Sequence, residues 1–382
     1  MTPRGINQRE ADVAQSFTRA IDKTIELAPD IVLVGGDVFH QVRPTNSAII
    51  HAYVQFARLR AALPNTEIVM VAGNHDTPRS SETGSILRLF VSLGLHVVDA
   101  EPQALEFPAL DLLVLAVPLN QYERPQLQPS GSSRYNVLLL HGSTEGEFGG
   151  YGGPPPTVTN EIPEDELHVG DWDYVALGHY HVYKSPQGRP HVYYSGATDY
   201  TSSNVWGEKA EERETGVRGK GIIERDLDAG THVFHPLPAS REFIDLPALS
   251  AKGMTTEELN EAIIEVVEGA NGGIDDKVVR LVVYDVPRHV ARQLDHRQLR
   301  EYRRRALHFQ LETRRPETIR SSGRGAPGRR ASLEEVVRDK LRERLLAPDV
   351  ERESLVELGL RYLKDAEDRE SALATPVTGL EM

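Results

Sequence analysis

The chain contains no cysteine, which excludes disulfides and any thiolate-bound zinc; a metal here must rest on imidazole, carboxylate or amide groups. No apolar run approaches the roughly 20 residues that a membrane-spanning helix needs. The first residues, Met1-Thr-Pro-Arg-Gly-Ile-Asn7, offer no apolar signal core. Aromatic residues are scarce at 6%, so the core must be built mostly from aliphatic side chains. These absences, with 39% hydrophobic content, fit a soluble globular protein in the cytoplasm. The 382 residues suffice for two or three domains.

Positive charge is also in deficit. The formal net charge is −14, which argues against a uniformly basic nucleic-acid coat. One stretch departs from this: between Arg297 and Arg330 eleven arginines face Glu301, Glu312 and Glu317, a local net of +8. It reads either as a solvated linker or as a salt-sensitive contact with a phosphate backbone.

What is present in abundance is a repeated pattern of apolar segments ending in metal-binding side chains. Ile31-Val-Leu-Val-Gly-Gly-Asp37 ends in a carboxylate. Val69-Met-Val-Ala-Gly-Asn-His-Asp76 ends in Asn74, His75 and Asp76. Val137-Leu-Leu-Leu-His141 ends in an imidazole, and Tyr174-Val-Ala-Leu-Gly-His-Tyr-His181 in two, His179 and His181. In open α/β sheets, ligands and catalytic groups collect at the carboxyl ends of strands.

Hydrophobic spacing predicts helices over 10–27, 46–62 and near 82–93, and strands over 31–36, 67–72, 95–98, 111–117, 135–140, 174–177, 191–195 and 220–225. The alternation points to βαβ units in a layered α/β fold. Residues 143–163, with Gly149-Gly-Tyr-Gly-Gly-Pro-Pro-Pro156, read as a loop. A first domain spans 1–237. Residues 238–312 form a second, small α+β domain with a helix at Thr255–Glu268 and a strand at Lys277–Tyr284. Residues 313–331 read as a linker. The tail, 332–382, opens with the capping box Ser332-Leu-Glu-Glu335 and carries two amphipathic helices, one to Pro348 and one over about 353–369. They pack on each other or wrap a partner's helix or coiled coil.

Taken together, Asp37, Asn74, His141, His179 and His181 are a metal-ligand set. A carboxylate can bridge two cations, and a carboxamide completes a shell without adding charge. Imidazole favours transition metals, so the O/N mix points to Mn²⁺ or a similar ion. Two ions about 3.5–4 Å apart would activate a water and clamp a phosphoryl group in line. His75 reads as a non-ligand that gives a proton or hydrogen bond to the phosphate, with Asp76 fixing its tautomer. His40, His51, His96, His168, His191, His232 and His235 read as ordinary structural histidines.

Gly36-Asp37, Gly73-Asn-His-Asp76, His141 and Gly178-His-Tyr-His181 resemble the calcineurin-like metallophosphoesterase superfamily. Pro29-Asp-Ile-Val-Leu-Val-Gly-Gly-Asp-Val-Phe-His-Gln-Val-Arg-Pro44, Asp173–His181 and Tyr193-Tyr-Ser-Gly-Ala197 are similar to its SbcD-like branch, the nuclease subunit of double-strand-break repair complexes. The resemblance covers residues 5–235. It implies a two-sheet α/β sandwich with a small capping domain and a C-terminal helical hairpin. By the same resemblance Asp37 bridges two divalent ions; Asn74, His141 and His179 complete one and His181 serves the other. His75, oriented by Asp76, assists cleavage of DNA phosphodiesters. Family members dimerise through helices near the active site, here 46–62 and 82–93, and their C-terminal hairpin docks on an SMC-like, SbcC-like coiled-coil ATPase. The family also opens with a strand ending in Asp-x-His, which supplies two further ligands. Gly5-Ile-Asn-Gln-Arg-Glu-Ala-Asp12 matches the family sequence just after that motif, so the expectation is a truncated or misassigned start, or impaired catalysis. A phosphoesterase for nucleotides or small phosphodiesters, and a non-catalytic DNA- and partner-binding scaffold, are the alternatives.

Overall fold

The computed structural model describes residues 7–78, 84–119, 127–144, 161–202, 204–217, 219–316, 333–343 and 351–373. The chain divides into two compact units, Met1–Arg315 and Pro316–Met382.

The first unit begins with α1 (Gln8–Leu27), whose amino end is capped by Asn7. Next come β1 (Ile31–Val34), α2 (Asn46–Ala62), β2 (Glu67–Val71), a 3₁₀ segment (Ile86–Leu93) and β3 (His96–Val98). The three strands form one parallel sheet in the order β1-β2-β3. A second sheet uses β4 (Gln103–Phe107), β5 (Leu112–Val117), β6 (Tyr135–His141), β9 (Tyr174–Gly178) and β10 (Val192–Tyr194). Its order is β10-β9-β6-β5-β4, and only β4 runs antiparallel. Between β6 and β9 lies a two-residue parallel pair, β7 (Ser143–Thr144) and β8 (Glu161–Ile162). The Gly- and Pro-rich run at 149–156 lies outside the described residues.

Strand alternation builds the layers, because successive side chains point to opposite faces. In β2, Ile68 and Met70 face α1 and α2, packing with Ile21, Phe56 and Leu59. Val69 and Val71 face the other way and meet Val114 and Ala116 of β5 and Val137 and Leu139 of β6. The remaining face of the second sheet, Leu138, Leu140, Val175 and Leu177, is covered by Leu127, Leu167 and Trp172. Two sheets therefore share one aliphatic interior, with α1 and α2 on the outer side of the first. All strands that end in candidate ligands run parallel, which gathers their carboxyl ends at one edge.

Beyond β10 come α3 (Val205–Thr215) and a hairpin of β11 (Gly221–Arg225) with β12 (His232–Pro236). A further sheet joins β13 (Phe243–Asp245), β14 (Leu249–Ser250), β15 (Val278–Tyr284) and β16 (His308–Thr313), with β15 paired to the other three. One face of it is covered by α4 (Thr256–Glu268), α5 (Arg288–Gln293) and α6 (His296–Arg305) through Leu259, Ile263, Val290, Leu299 and Tyr302. Thr255 and Glu258 close a capping box on α4. This block is tied to the preceding chain by the two-pronged pair of Arg241 with Asp12, at 2.6 and 2.9 Å, and by packing of Tyr200 on Phe243 and Val278.

In the second unit, α7 (Leu333–Glu343) and α8 (Arg352–Leu373) pack together, with Leu341 against Gly359. Ser332 and most of the 313–331 stretch lie outside the described residues.

Candidate metal centre

The edge where β1, β2, β6 and β9 end is held together by close backbone approach. A Cβ on Gly178 would lie 1.7 Å from the carbonyl oxygen of Gly35, and one on Gly73 would lie 2.1 Å from Oδ1 of Asp37. Glycine at 178 lets the end of β9 touch the turn after β1 in the other sheet, and glycine at 73 lets the turns after β1 and β2 close on each other. Asp37 and His179 adopt positive φ, 51° and 102°, an uncommon conformation for non-glycine residues that functional sites often store.

The hydrogen bonds around His141 decide what the centre can hold. Its Nδ1 donates to the carbonyl oxygen of Gly35 at 2.6 Å, since a carbonyl can only accept. The ring is buried, and burial drives its pKa below the ordinary value, so it carries one proton. Nε2 is then a bare lone pair. It faces Oδ1 of Asn74 at 3.2 Å and Oδ2 of Asp37 at 3.5 Å. Nδ1 of His179 lies 3.0 Å from the same Asn74 oxygen. Burial and the neighbouring His141 push His179 down to about 4, so it too is neutral at physiological pH. Ligand atoms of Asp37, His141 and His179 all lie within 4.8 Å of one another. The bare Nε2 of His141 faces two oxygens, Oδ1 of Asn74 and Oδ2 of Asp37, a repulsion that a cation among them would relieve, and this O/N donor set fits a divalent transition ion.

Asp37 is anchored from its other side: Oδ1 accepts the main-chain N–H of His75 at 2.9 Å. Asp76 is fully buried, and its placement differs from the sequence reading. Its oxygens accept the N–H groups of Val38, Phe39 and Gly73, each at 3.1 Å, rather than meeting the His75 ring. Burial pushes its carboxyl up to about 6 in spite of these bonds. Asp76 therefore staples the loop after β1 to the loop after β2, holding Asp37 beside Asn74. The His75 ring instead stacks on His40 at 5.4 Å between centroids. Sequence reasoning places His40 among the ordinary histidines; its one signal is its position three residues after Asp37.

His181 stands outside the group of three. Its Nδ1 lies 3.2 Å from Oε1 of Glu208 on α3. Burial alone would raise the Glu208 carboxyl, but the contacts with His181 and Lys220 outweigh it and hold the carboxyl below its usual range. Nothing in the local sequence points to Glu208 or Lys220, because their contacts with His181 cross from separate elements. Other histidines have unremarkable partners: His51 meets the carbonyl of Ala14, and His191 that of Val169.

The family model for calcineurin-like phosphoesterases matches residues 11–183. The chain is similar to the DNA double-strand break repair protein Mre11 of Methanocaldococcus jannaschii, 39% identical over 230 residues, covering 58% of each chain. It is 28% identical over 245 residues to Mre11 of Methanococcus maripaludis, covering 58% of this chain and 59% of that one. It is 24% identical over 176 residues to the SbcD subunit of the SbcCD nuclease of Staphylococcus epidermidis, covering 40% and 46%. The matches thus span between 46% and 59% of these relatives' own lengths.

Proposed function

We propose that this chain, which carries a calcineurin-like phosphoesterase domain over residues 11–183, is a metal-dependent DNA nuclease subunit acting in double-strand-break repair. The observation that carries this reading is the convergence of the ligand atoms of Asp37, Asn74, His141 and His179, with the bare Nε2 of His141 set against two oxygens. Relatives named for double-strand-break repair supply the substrate class.

In this reading Asp37, Asn74, His141 and His179 would hold one divalent ion, Mn²⁺ by donor type, and His181 would serve a second. Such ions supply Lewis-acid polarisation of a phosphoryl oxygen. The chain's own groups do the rest. The Gly35 carbonyl fixes the His141 tautomer, and Asp76 keeps the loops of Asp37 and Asn74 in register. The ring of His75, stacked on His40, would give a proton or hydrogen bond to the phosphodiester.

Residues 238–312 act as the capping domain. On α5 and α6, Arg288, Arg292, Arg297, Arg300 and Arg303 are exposed, and none of these is ion-paired among the described residues. They suit contact with a phosphate backbone. Homodimerisation through α2 and the 86–93 segment is supported by Ile50, Val54, Leu89 and Val91, exposed by 63%, 52%, 38% and 54% on two elements that pack side by side. The α7–α8 pair acts as a helical hairpin that docks on a coiled-coil ATPase. Leu358 and Tyr362, one turn apart on α8 and 38% and 67% exposed, give it an apolar stripe.

Linear duplex DNA and a chromogenic phosphodiester, each incubated with the protein and Mn²⁺, test the reading. Degradation of DNA by the wild type and none by Asp37→Ala is expected. Cleavage of the chromogenic ester alone would point to a small-phosphodiester enzyme. Retention of DNA without cleavage of either substrate would point to a scaffold.

A further inference from the structure

Behind His181 lies a closed ring of polar contacts built on a buried Lys–Glu pair. Oε1 of Glu208 lies 3.2 Å from Nδ1 of His181. The second Glu208 oxygen accepts from the ammonium of Lys220, and that ammonium also donates to the main-chain carbonyl of His181 at 2.7 Å. Glu208 and Lys220 are 8% and 6% exposed, so neither is a casual surface pair. One Lys–Glu couple thus grips both the ring and the backbone of a single histidine. A second carboxylate, Glu212, lies 3.4 Å from Lys220 through Oε1, while its other oxygen accepts the Tyr200 hydroxyl at 2.6 Å.

One feature of this ring bears on a cation. A carboxylate can only accept, so a neutral His181 ring donates Nδ1–H to Glu208, which leaves Nε2 as the free lone pair.

We propose that Glu208, held in place by Lys220, is a positioning residue: it fixes the tautomer and rotation of His181 and raises the basicity of Nε2 toward a divalent ion. The inference rests on His181 being a ligand, as read above. A brace that merely anchored α3 would have no stake in which ring nitrogen bears the proton.

Two measurements on the full chain test it. Nitrogen-resolved NMR of the metal-free wild type should find His181 as the Nδ1–H tautomer; the Nε2–H form would overturn the proposal whatever the variants do. Mn²⁺ binding is then followed by calorimetry and by loss of the free-ion EPR signal for wild type, His181→Ala and Glu208→Gln. His181→Ala is expected to remove or weaken one binding step, and Glu208→Gln to weaken the same step by roughly 10–100-fold. If His181→Ala weakens it and Glu208→Gln does not, the positioning role is wrong while the ligand reading stands. If His181→Ala binds Mn²⁺ as wild type does, the ligand reading falls and the positioning role falls with it.

Discussion

The imidazole of His75 stacks on that of His40, with centroids 5.4 Å apart and planes 14° from parallel. The two rings come from the loops after β2 and β1, so the stack joins the two sides of the candidate centre. His75 keeps its main-chain bond to Asp37 whatever its ring does, because that bond uses the amide N–H. The ring's orientation therefore depends on His40 and metal binding does not. His75→Ala should lower kcat roughly 10²–10⁴-fold, the range for a lost general acid or base. His40→Ala should lower it by a smaller factor, with Mn²⁺ affinity preserved in both. Calorimetry beside a nuclease assay decides; a His40→Ala protein that no longer takes up Mn²⁺ would show that the stack holds the ligands themselves.

Asp37 does two jobs that substitution can separate. Oδ1 accepts from His75, and Oδ2 faces Nε2 of His141 at 3.5 Å. Asp37→Asn keeps an acceptor for the His75 N–H but removes the charge that a cation needs. Asp37→Ala removes both. Hydrolysis should fall below detection in each, whereas thermal stability without metal should drop by about 0.5–1.5 kcal/mol only in the alanine variant, where the partly buried His75 N–H loses its acceptor. Equal Mn²⁺ uptake by wild type and Asp37→Asn would break the link between this carboxylate and the ion.

The strands that deliver the candidate ligands were legible because each is a short aliphatic run stopped by Gly, Asn, Asp or His; α2 was read to its bounds, Asn46–Ala62. The 82–93 stretch proved to be 3₁₀ over Ile86–Leu93 rather than a regular helix. β4 escaped notice because Gln103-Ala-Leu-Glu-Phe107 is an edge strand with only Phe107 buried. α3 escaped because Glu208, Lys209, Glu211, Glu212, Arg213 and Glu214 hide any apolar stripe, and part of what it buries is charge. The candidate ligand types could be read from the chain. Their supports could not: the Gly35 carbonyl on His141, the backbone grip of Asp76 and the Glu208–Lys220 couple are contacts between distant segments, with no periodicity to announce them.

Two buried groups set opposing pH slopes on stability. Burial and His141 hold His179 at about 4, against an ordinary 6.5. Its folded value is depressed, so between these limits the unfolded chain takes up a proton that the folded one refuses. Stability therefore falls as pH drops through the window, by at most about 1.4 kcal/mol per unit from this group. Asp76 acts the other way. Burial lifts its carboxyl from 3.8 to about 6, so the folded chain binds the extra proton and stability rises as pH drops between those values. In chelator, His179→Gln should gain on the wild type as pH is lowered from about 6.5 to 4, and Asp76→Asn should lose ground over about 6 to 4. Denaturant titrations across the window measure both, and a His179→Gln difference that stays flat would rule out the depressed imidazole.

Gly178 offers a test of how far the centre depends on contact between the two sheets. It ends β9 immediately before His179, and its Cα lies where an added Cβ would sit 1.7 Å from the Gly35 oxygen and 2.6 Å from the Gly35 carbonyl carbon. These are backbone atoms and cannot swing aside, so the strand ends must separate. Overpacking of this kind costs about 1–3 kcal/mol. The Gly35 carbonyl also holds the His141 tautomer, so the displacement should reach the ligands, weakening Mn²⁺ binding along with stability. Gly170→Ala is the control, since nothing lies within 4 Å of a Cβ there. Gly178→Ala should lose both melting temperature and Mn²⁺ affinity while Gly170→Ala keeps both; a Gly178→Ala protein with native Mn²⁺ affinity would mean that the centre tolerates a shift of the strand carrying His179 relative to the strand carrying Asp37.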